Sequence, residues 1–161
     1  MRSNVELIRA LGVLSEAPGP EHVHLADLLE LGEAPDPESY ANVFLLQLYP
    51  YSSIYVGSEG MLGGEARDRV AGAWTALGRT PPAEPDHLGA LLGLYAALAE
   101  HAETESDPAV RALWRAAASG FLWEHLLSWA IPYLNRFKGI GSPAYEAWAL
   151  LLADTLRAEG Q

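Results

Sequence analysis

Glu84-Pro85-Asp86-His87-Leu88-Gly89-Ala90-Leu91-Leu92-Gly93-Leu94-Tyr95-Ala96-Ala97-Leu98 is the stretch from which the fold is read. A proline and an acidic residue stand immediately before a long apolar run. Asp86 is suited to N-cap a helix, because its carboxylate can accept backbone N–H groups of the first turn. A helix is therefore expected from Asp86 to about Glu103. Before it, Thr80-Pro81-Pro82-Ala83-Glu84-Pro85 reads as a stiff, extended linker, since each proline disfavours α geometry in the residue that precedes it.

The same cap-plus-proline signal recurs on both sides. Downstream, Asp107-Pro108 should start a helix running to about Phe137, with a bend at Gly120 or Pro132. Ser142-Pro143 should start a last helix, Pro143 to Arg157. Upstream, Asp36-Pro37 predicts a helix to about Leu48, and Pro20 opens one to Leu31 with Gly32 as its C′ residue. Ser3-Asn4-Val5-Glu6 reads as a capping box for a helix from about Asn4 to Leu14. Tyr49 to Gly64 is the longest break, followed by a helix from Glu65 to Leu77 with Gly78 as its C-cap. Strand signals are confined to Ser53-Ile54-Tyr55-Val56, too short for a sheet. The expectation is an all-α, single-domain bundle of about six or seven helices over residues 1–161, with a linker or hinge near 79–85.

Bulk properties narrow the function. The 161 residues suit one domain and contain no cysteine, which excludes disulfides, thiolate zinc sites and a cysteine nucleophile. No run approaches ~18 consecutive apolar residues, and the first residues lack an apolar signal-peptide core. A cytoplasmic protein with no integral membrane segment is expected. Asp and Glu outnumber Lys and Arg by 21 to 10, a formal charge of −11. That surface repels nucleic acid and anionic lipid, keeps the chain soluble, and would attract an arginine-bearing peptide.

Catalytic motifs are sparse. His22 and His24 alternate along a helix, so their rings point to different faces rather than to one metal. His87, His101 and His125 are the basis of one alternative, a metal-dependent hydrolase, but no Asp or Glu accompanies them at i+4 spacing. Gly60-Met61-Leu62-Gly63-Gly64 lacks the Lys-Ser or Lys-Thr of a phosphate loop, and no Gly-x-Ser-x-Gly elbow occurs. No metal or cofactor is expected. Phe121, His125 and Trp129 share a helix face, either as core or beside a binding groove. Trp114, Trp123 and Trp148 read as core or boundary residues. Tyr49, Tyr51 and Tyr55 lie in the predicted break, where they must fold back or meet a ligand. A generic helical adaptor is the second alternative.

Taken in order, Pro50-Tyr51-Ser52-Ser53-Ile54-Tyr55, Glu59-Gly60-Met61-Leu62-Gly63-Gly64, Glu84-Pro85-Asp86-His87 and Phe121-Leu122-Trp123-Glu124-His125-Leu126-Leu127-Ser128-Trp129 resemble the TorD/DmsD/NarJ-type chaperones, from about Tyr40 to Tyr145. Ser52 stands where that family usually has Glu, and Leu91 and Gly93 sit near its usual helix carboxylates. The resemblance implies a cytoplasmic chaperone without turnover. Its partners would be the twin-arginine signal peptide and the precursor of a molybdenum-cofactor oxidoreductase, and it would be a monomer or a domain-swapped dimer. The implied peptide-binding residues are Tyr51, Ser53, Tyr55, Glu84, Pro85, Asp86, His87, His125 and Trp129. Glu59, Glu84 and Asp86 would supply carboxylates, with Leu88 and Leu91 among the apolar wall.

Overall fold

The computed structural model describes residues 4–57, 60 and 62–161, and among these it is helical without a strand. The helices are α1 (Val5–Val13), α2 (Pro20–Leu28), α3 (Pro37–Tyr40), α4 (Ser52–Val56), α5 (Gly64–Ala76), α6 (Leu88–Thr104), α7 (Pro108–Phe121), α8 (Ala130–Asn135) and α9 (Pro143–Glu159). Two segments, Ala41–Gln47 after α3 and Leu122–Leu127 after α7, are π-helical. The all-α expectation holds. The expected Ser3 cap lies outside the described residues, and Asn4 stands at the N-cap position of α1.

Helix α6 is the centre of the bundle, packed between α1 and α7. Leu88, Leu91 and Leu92 are completely buried. Leu88 and Leu91 are therefore core residues and not the groove wall expected of them. Gly12 and Gly89 bring α1 and α6 together closely: a Cβ at Gly89 would stand 3.0 Å from the Gly12 carbonyl oxygen. A second core layer joins the π segment 41–47 to the C-terminal helices. The Phe44 ring meets Tyr145 and Trp148 edge-on, with centroids 4.9 and 5.6 Å away. Trp148 donates its indole N–H to the Leu11 carbonyl (2.9 Å), and Tyr133 donates its hydroxyl to that of Leu48 (2.9 Å). Both polar tips are thus satisfied inside the core.

The local starts behave as the sequence dictates. Asp36 accepts from the Ser39 N–H, Asp107 from Ala109 and Val110, and Ser142 from Tyr145. Gly78, with φ +74°, closes α5 in a Schellman turn through Gly78 N–H to Thr75 and Arg79 N–H to Trp74.

Other boundaries differ, each for a local reason. α2 stops at Leu28, short of Leu31, because Glu30 takes the left-handed position at φ +55°. Its N–H bonds Asp27, and Leu31 N–H reaches back to Ala26. Burial of Leu31 evidently offsets the strain at Glu30. Glu30→Gly relieves a Cβ clash of about 1–2 kcal/mol, partly cancelled by the greater freedom of glycine in the unfolded chain. A net gain of about 0.5–1 kcal/mol in urea denaturation is expected; a loss would mean that the Glu30 side chain holds the turn.

The long helix expected from Asp107 breaks at Ser128–Trp129, at neither Gly120 nor Pro132. The proline ring at 132 would clash with the Ser128 carbonyl in a continuous helix, so the break falls one turn upstream of it. The switch to i→i+5 pairing at Leu122 also rotates the following side chains. Leu122, His125 and Leu126 turn inward, while Trp123 is left 57% exposed, contrary to its expected core or boundary place. Trp148 is core as expected, and Trp114 is half-buried, stacked on His101 with centroids 4.6 Å apart.

Candidate functional site

The linker and the tyrosine segment, each without helix-forming pattern, solve each other's backbone needs. Leu88 N–H donates to the Pro50 carbonyl (2.8 Å), Ser52 N–H to that of Asp86 (3.0 Å), and Tyr51 pairs with His87 as an isolated antiparallel bridge. Two side chains of α5 hold the linker from behind: Arg67 donates to the Ala83 carbonyl (2.8 Å) and the Trp74 indole to that of Pro85 (3.3 Å).

Asp86 is not the N-cap of α6. His87 is: its Nδ1 accepts the Gly89 N–H at 2.9 Å. Asp86 is 1% exposed and turns the other way, where its Oδ2 accepts the Ser53 N–H at 3.1 Å. The carboxylate thus caps α4, the helix that interrupts the expected loop, from 33 residues along the chain. A carboxylate at the N-terminus of a helix is favoured by the exposed N–H groups there.

On the outer side lies a cleft of about 480 Å³ lined by Glu16, Tyr40, Tyr51, Pro82, Glu84 and His87, among others. Burial first, and then the neighbouring Glu84 carboxylate, push the pKa of Tyr51 up. Burial also raises Tyr40, helped by Glu84 and Glu16. The rings of Tyr51 and His87 meet edge-on at 5.2 Å. Glu84 and Glu16 are both exposed at the mouth. The cleft therefore offers two aromatic walls, two carboxylates and an imidazole.

Glu16 carries no sequence motif. It reaches the cleft because the α1–α2 turn is fixed by His22, whose Nδ1 accepts the Gly19 N–H (3.1 Å) and whose Nε2 lies 3.2 Å from the Glu16 carbonyl. With Nδ1 accepting, Nε2 carries the proton and donates it. His22 is buried and His24 exposed, so the alternation read from the sequence holds.

The other candidates gather elsewhere. Tyr55 folds back, stacking on Trp129 at 5.3 Å and 5° and donating to the Tyr49 carbonyl. Trp129 is buried and donates its indole N–H to the His125 carbonyl (2.8 Å). Ser53 is fully buried; its hydroxyl accepts the Gly63 N–H. Pro85 is buried beneath the linker. Glu59 lies outside the described residues. His87 and His101 are one helix apart, roughly 20 Å at 1.5 Å per residue, and no group of three or more His, Asp or Glu among the described residues is placed to hold a metal.

Burial lowers the pKa of both His87 and His125, against the pull of Glu84 on the first and Glu124 on the second. The unfolded chain therefore takes up protons at higher pH than the fold does. Stability from these groups is complete above the ordinary histidine range, near pH 6.5, and is lost as pH falls below it. The melting temperature should drop between pH 7 and pH 5, and less so in the double variant His87→Asn with His125→Gln, where asparagine keeps the cap. An equal drop in both proteins would assign the acid sensitivity to other groups.

A model of the family described as nitrate reductase delta subunit matches residues 23–134, more than half the chain. The chain belongs to the nitrate reductase delta subunit family. This is a family of redox-enzyme maturation chaperones, which bind molybdoenzyme precursors, and it agrees with the NarJ/TorD-type resemblance of the motifs. Comparison with curated proteins and with solved structures found no match. The matched span includes α4, the linker and α6, and ends within α8. It leaves out Glu16 and α9. No helix among the described residues is long and apolar enough to cross a membrane.

Proposed function

We propose that this protein is a cytoplasmic escort that binds the twin-arginine signal peptide of a molybdenum-cofactor oxidoreductase and holds it until the enzyme is ready for export, with no chemical turnover. The observation that carries the reading is the acidic aromatic cleft. Glu84 and Glu16 face one opening from separate elements, and Tyr40 and Tyr51 flank them. Carboxylates can take guanidinium groups in bidentate pairs, and aromatic faces stack on the same planar cations. A net charge of −11 draws a basic leader toward the surface.

In this reading Glu84, Tyr51 and His87 touch the peptide together with Glu16. Pro85, Asp86 and Ser53 hold those groups in place. Tyr55, His125 and Trp129 lie away from this cleft and are not assigned to the peptide. The protein acts as a monomer. A domain-swapped dimer hinged at 79–85 would first have to release the linker from Arg67, Trp74 and Pro50.

The test is a titration with a labelled peptide carrying two adjacent arginines and an apolar tail. Replacing both arginines by lysine should weaken binding about tenfold, because lysine cannot form the planar bidentate pair. Replacement by glutamine should weaken it further, and added salt should reduce only the arginine and lysine affinities. Equal binding of the arginine and glutamine peptides at low salt would refute the reading.

A further inference from the structure

Tyr51 lines the acidic cleft, and the next residue, Ser52, lines a different cavity of about 130 Å³. Its walls come from α4, α5 and the segment around Trp129, and include Arg69, Val70, Glu124 and His125. The volume is several times what one ordered water requires.

The Ser52 hydroxyl is the unusual feature. Ser52 is 1% exposed, and its Oγ has no hydrogen-bond partner among the described residues. Buried hydroxyls are almost always paired, because an unpaired one keeps its full desolvation penalty. The neighbouring polar groups are of both kinds. Arg69, exposed at the rim, offers donors only. Glu124 offers acceptors and stands 3.7 Å from His125 Nε2. His125 is nearly buried, and that burial favours its neutral ring. Ser128 and the Trp129 indole are already committed to backbone carbonyls.

This mixture selects against ions. A carboxylate ligand would meet Glu124 and the acidic surface, and an ammonium would meet Arg69. A neutral head that both donates and accepts answers all the groups without burying a charge. We propose that this cavity binds a primary carboxamide: the carbonyl oxygen accepts from Ser52 and Arg69, the NH₂ donates toward Glu124 and His125, and Val70 with the Trp129 ring packs on the aliphatic stem. The site is independent of the reading of the acidic cleft.

The experiment follows the Trp129 indole N–H signal in ¹⁵N-labelled protein during titration with propionamide, propionate and butanone. These probes are close in size and differ in charge and in the N–H donors. Propionamide should give a saturating shift, with propionate and butanone at least fivefold weaker. A blocked Ala-Gln-Ala tripeptide methylamide is the second probe. Tighter binding of the tripeptide than of propionamide assigns the site to a glutamine side chain of a peptide, and the reverse assigns it to a small free amide; both support the site. Ser52→Ala should weaken propionamide at least fivefold without lowering the melting temperature, since Oγ bonds nothing in the fold and its removal relieves an unpaired buried hydroxyl. Equal shifts from all three small probes, no shift from any, or full propionamide binding by Ser52→Ala would overturn the proposal and leave a water-filled cavity.

Discussion

Asp86→Ala is expected to lower the stability of the fold by about 1.3–4 kcal/mol. The side chain is buried, and its carboxylate accepts the N–H of Ser53, itself completely buried. Removing the acceptor strands that N–H away from water, at a cost of about 1–3 kcal/mol. The lost charge at the start of α4 adds about 0.3–1 kcal/mol. Asp86→Asn keeps an acceptor oxygen and loses only the charge, so it should cost about 1 kcal/mol or less. Chemical denaturation of the three proteins measures this directly. The two substitutions also separate positioning from contact. If Asp86 works through α4, the alanine variant loses peptide affinity along with stability, because Tyr51 is no longer held beside His87. The asparagine variant then binds nearly as wild type. An asparagine variant that is stable but does not bind would place the Asp86 charge on the peptide itself.

The role of Asp86 shows where the sequence is readable and where it is not. Cap residues followed by proline act within one turn, so Asp36, Asp107 and Ser142 announce their helices without help from the rest of the chain. Gly78 is legible for the same reason. Asp86 carries the same local signal but is recruited by Ser53, from a segment 33 residues upstream. Two residues so placed compete for one cap, and the imidazole of His87 takes it. The end of α2 was hidden because Glu30 turns left-handed ahead of Gly32, which is left-handed as well at φ +89°. Burial of Leu31 between them sets the earlier turn, and that is a tertiary effect.

The same limit applies to the site. Tyr51, Glu84 and His87 were legible because they sit in short, unusual blocks. Glu16 sits in an ordinary stretch and enters the cleft through two tertiary effects, the turn fixed by His22 and the crossing of α1 and α6 at Gly12 and Gly89. A Cβ at Gly89 would stand 3.1 Å from the Glu16 carboxylate oxygen, so the crossing and the acidic wall are one feature. Two signals pointed to it indirectly: a glycine inside each helix, and the buried His22 two residues after the Gly19-Pro20 turn.

Glu16→Gln with Glu84→Gln is expected to abolish tight binding of the arginine peptide while leaving the fold intact. Both carboxylates are exposed, and neither forms an ion pair among the described residues, so their loss removes little stability. Each charge-assisted contact to a guanidinium is worth about 1.5–3 kcal/mol when partly desolvated, or about ten- to a hundredfold in affinity. The contribution is smaller where water reaches the pair freely. Glu84→Gln should have the larger single effect, because Glu84 stands close enough to both Tyr51 and His87 to shift their pKa values and the amide cannot reproduce its charge. If the two carboxylates serve adjacent arginines, the double variant should lose the sum of the single effects. It should also lose the preference for arginine over glutamine peptides and most of the salt dependence. If one arginine alone enters the cleft, the second substitution changes little once the first is made. Binding isotherms of the four proteins at two salt concentrations distinguish these cases. A double variant that still prefers the arginine peptide would move the recognition site away from this cleft altogether, leaving the family membership in place and the location of its peptide groove to be found on another face.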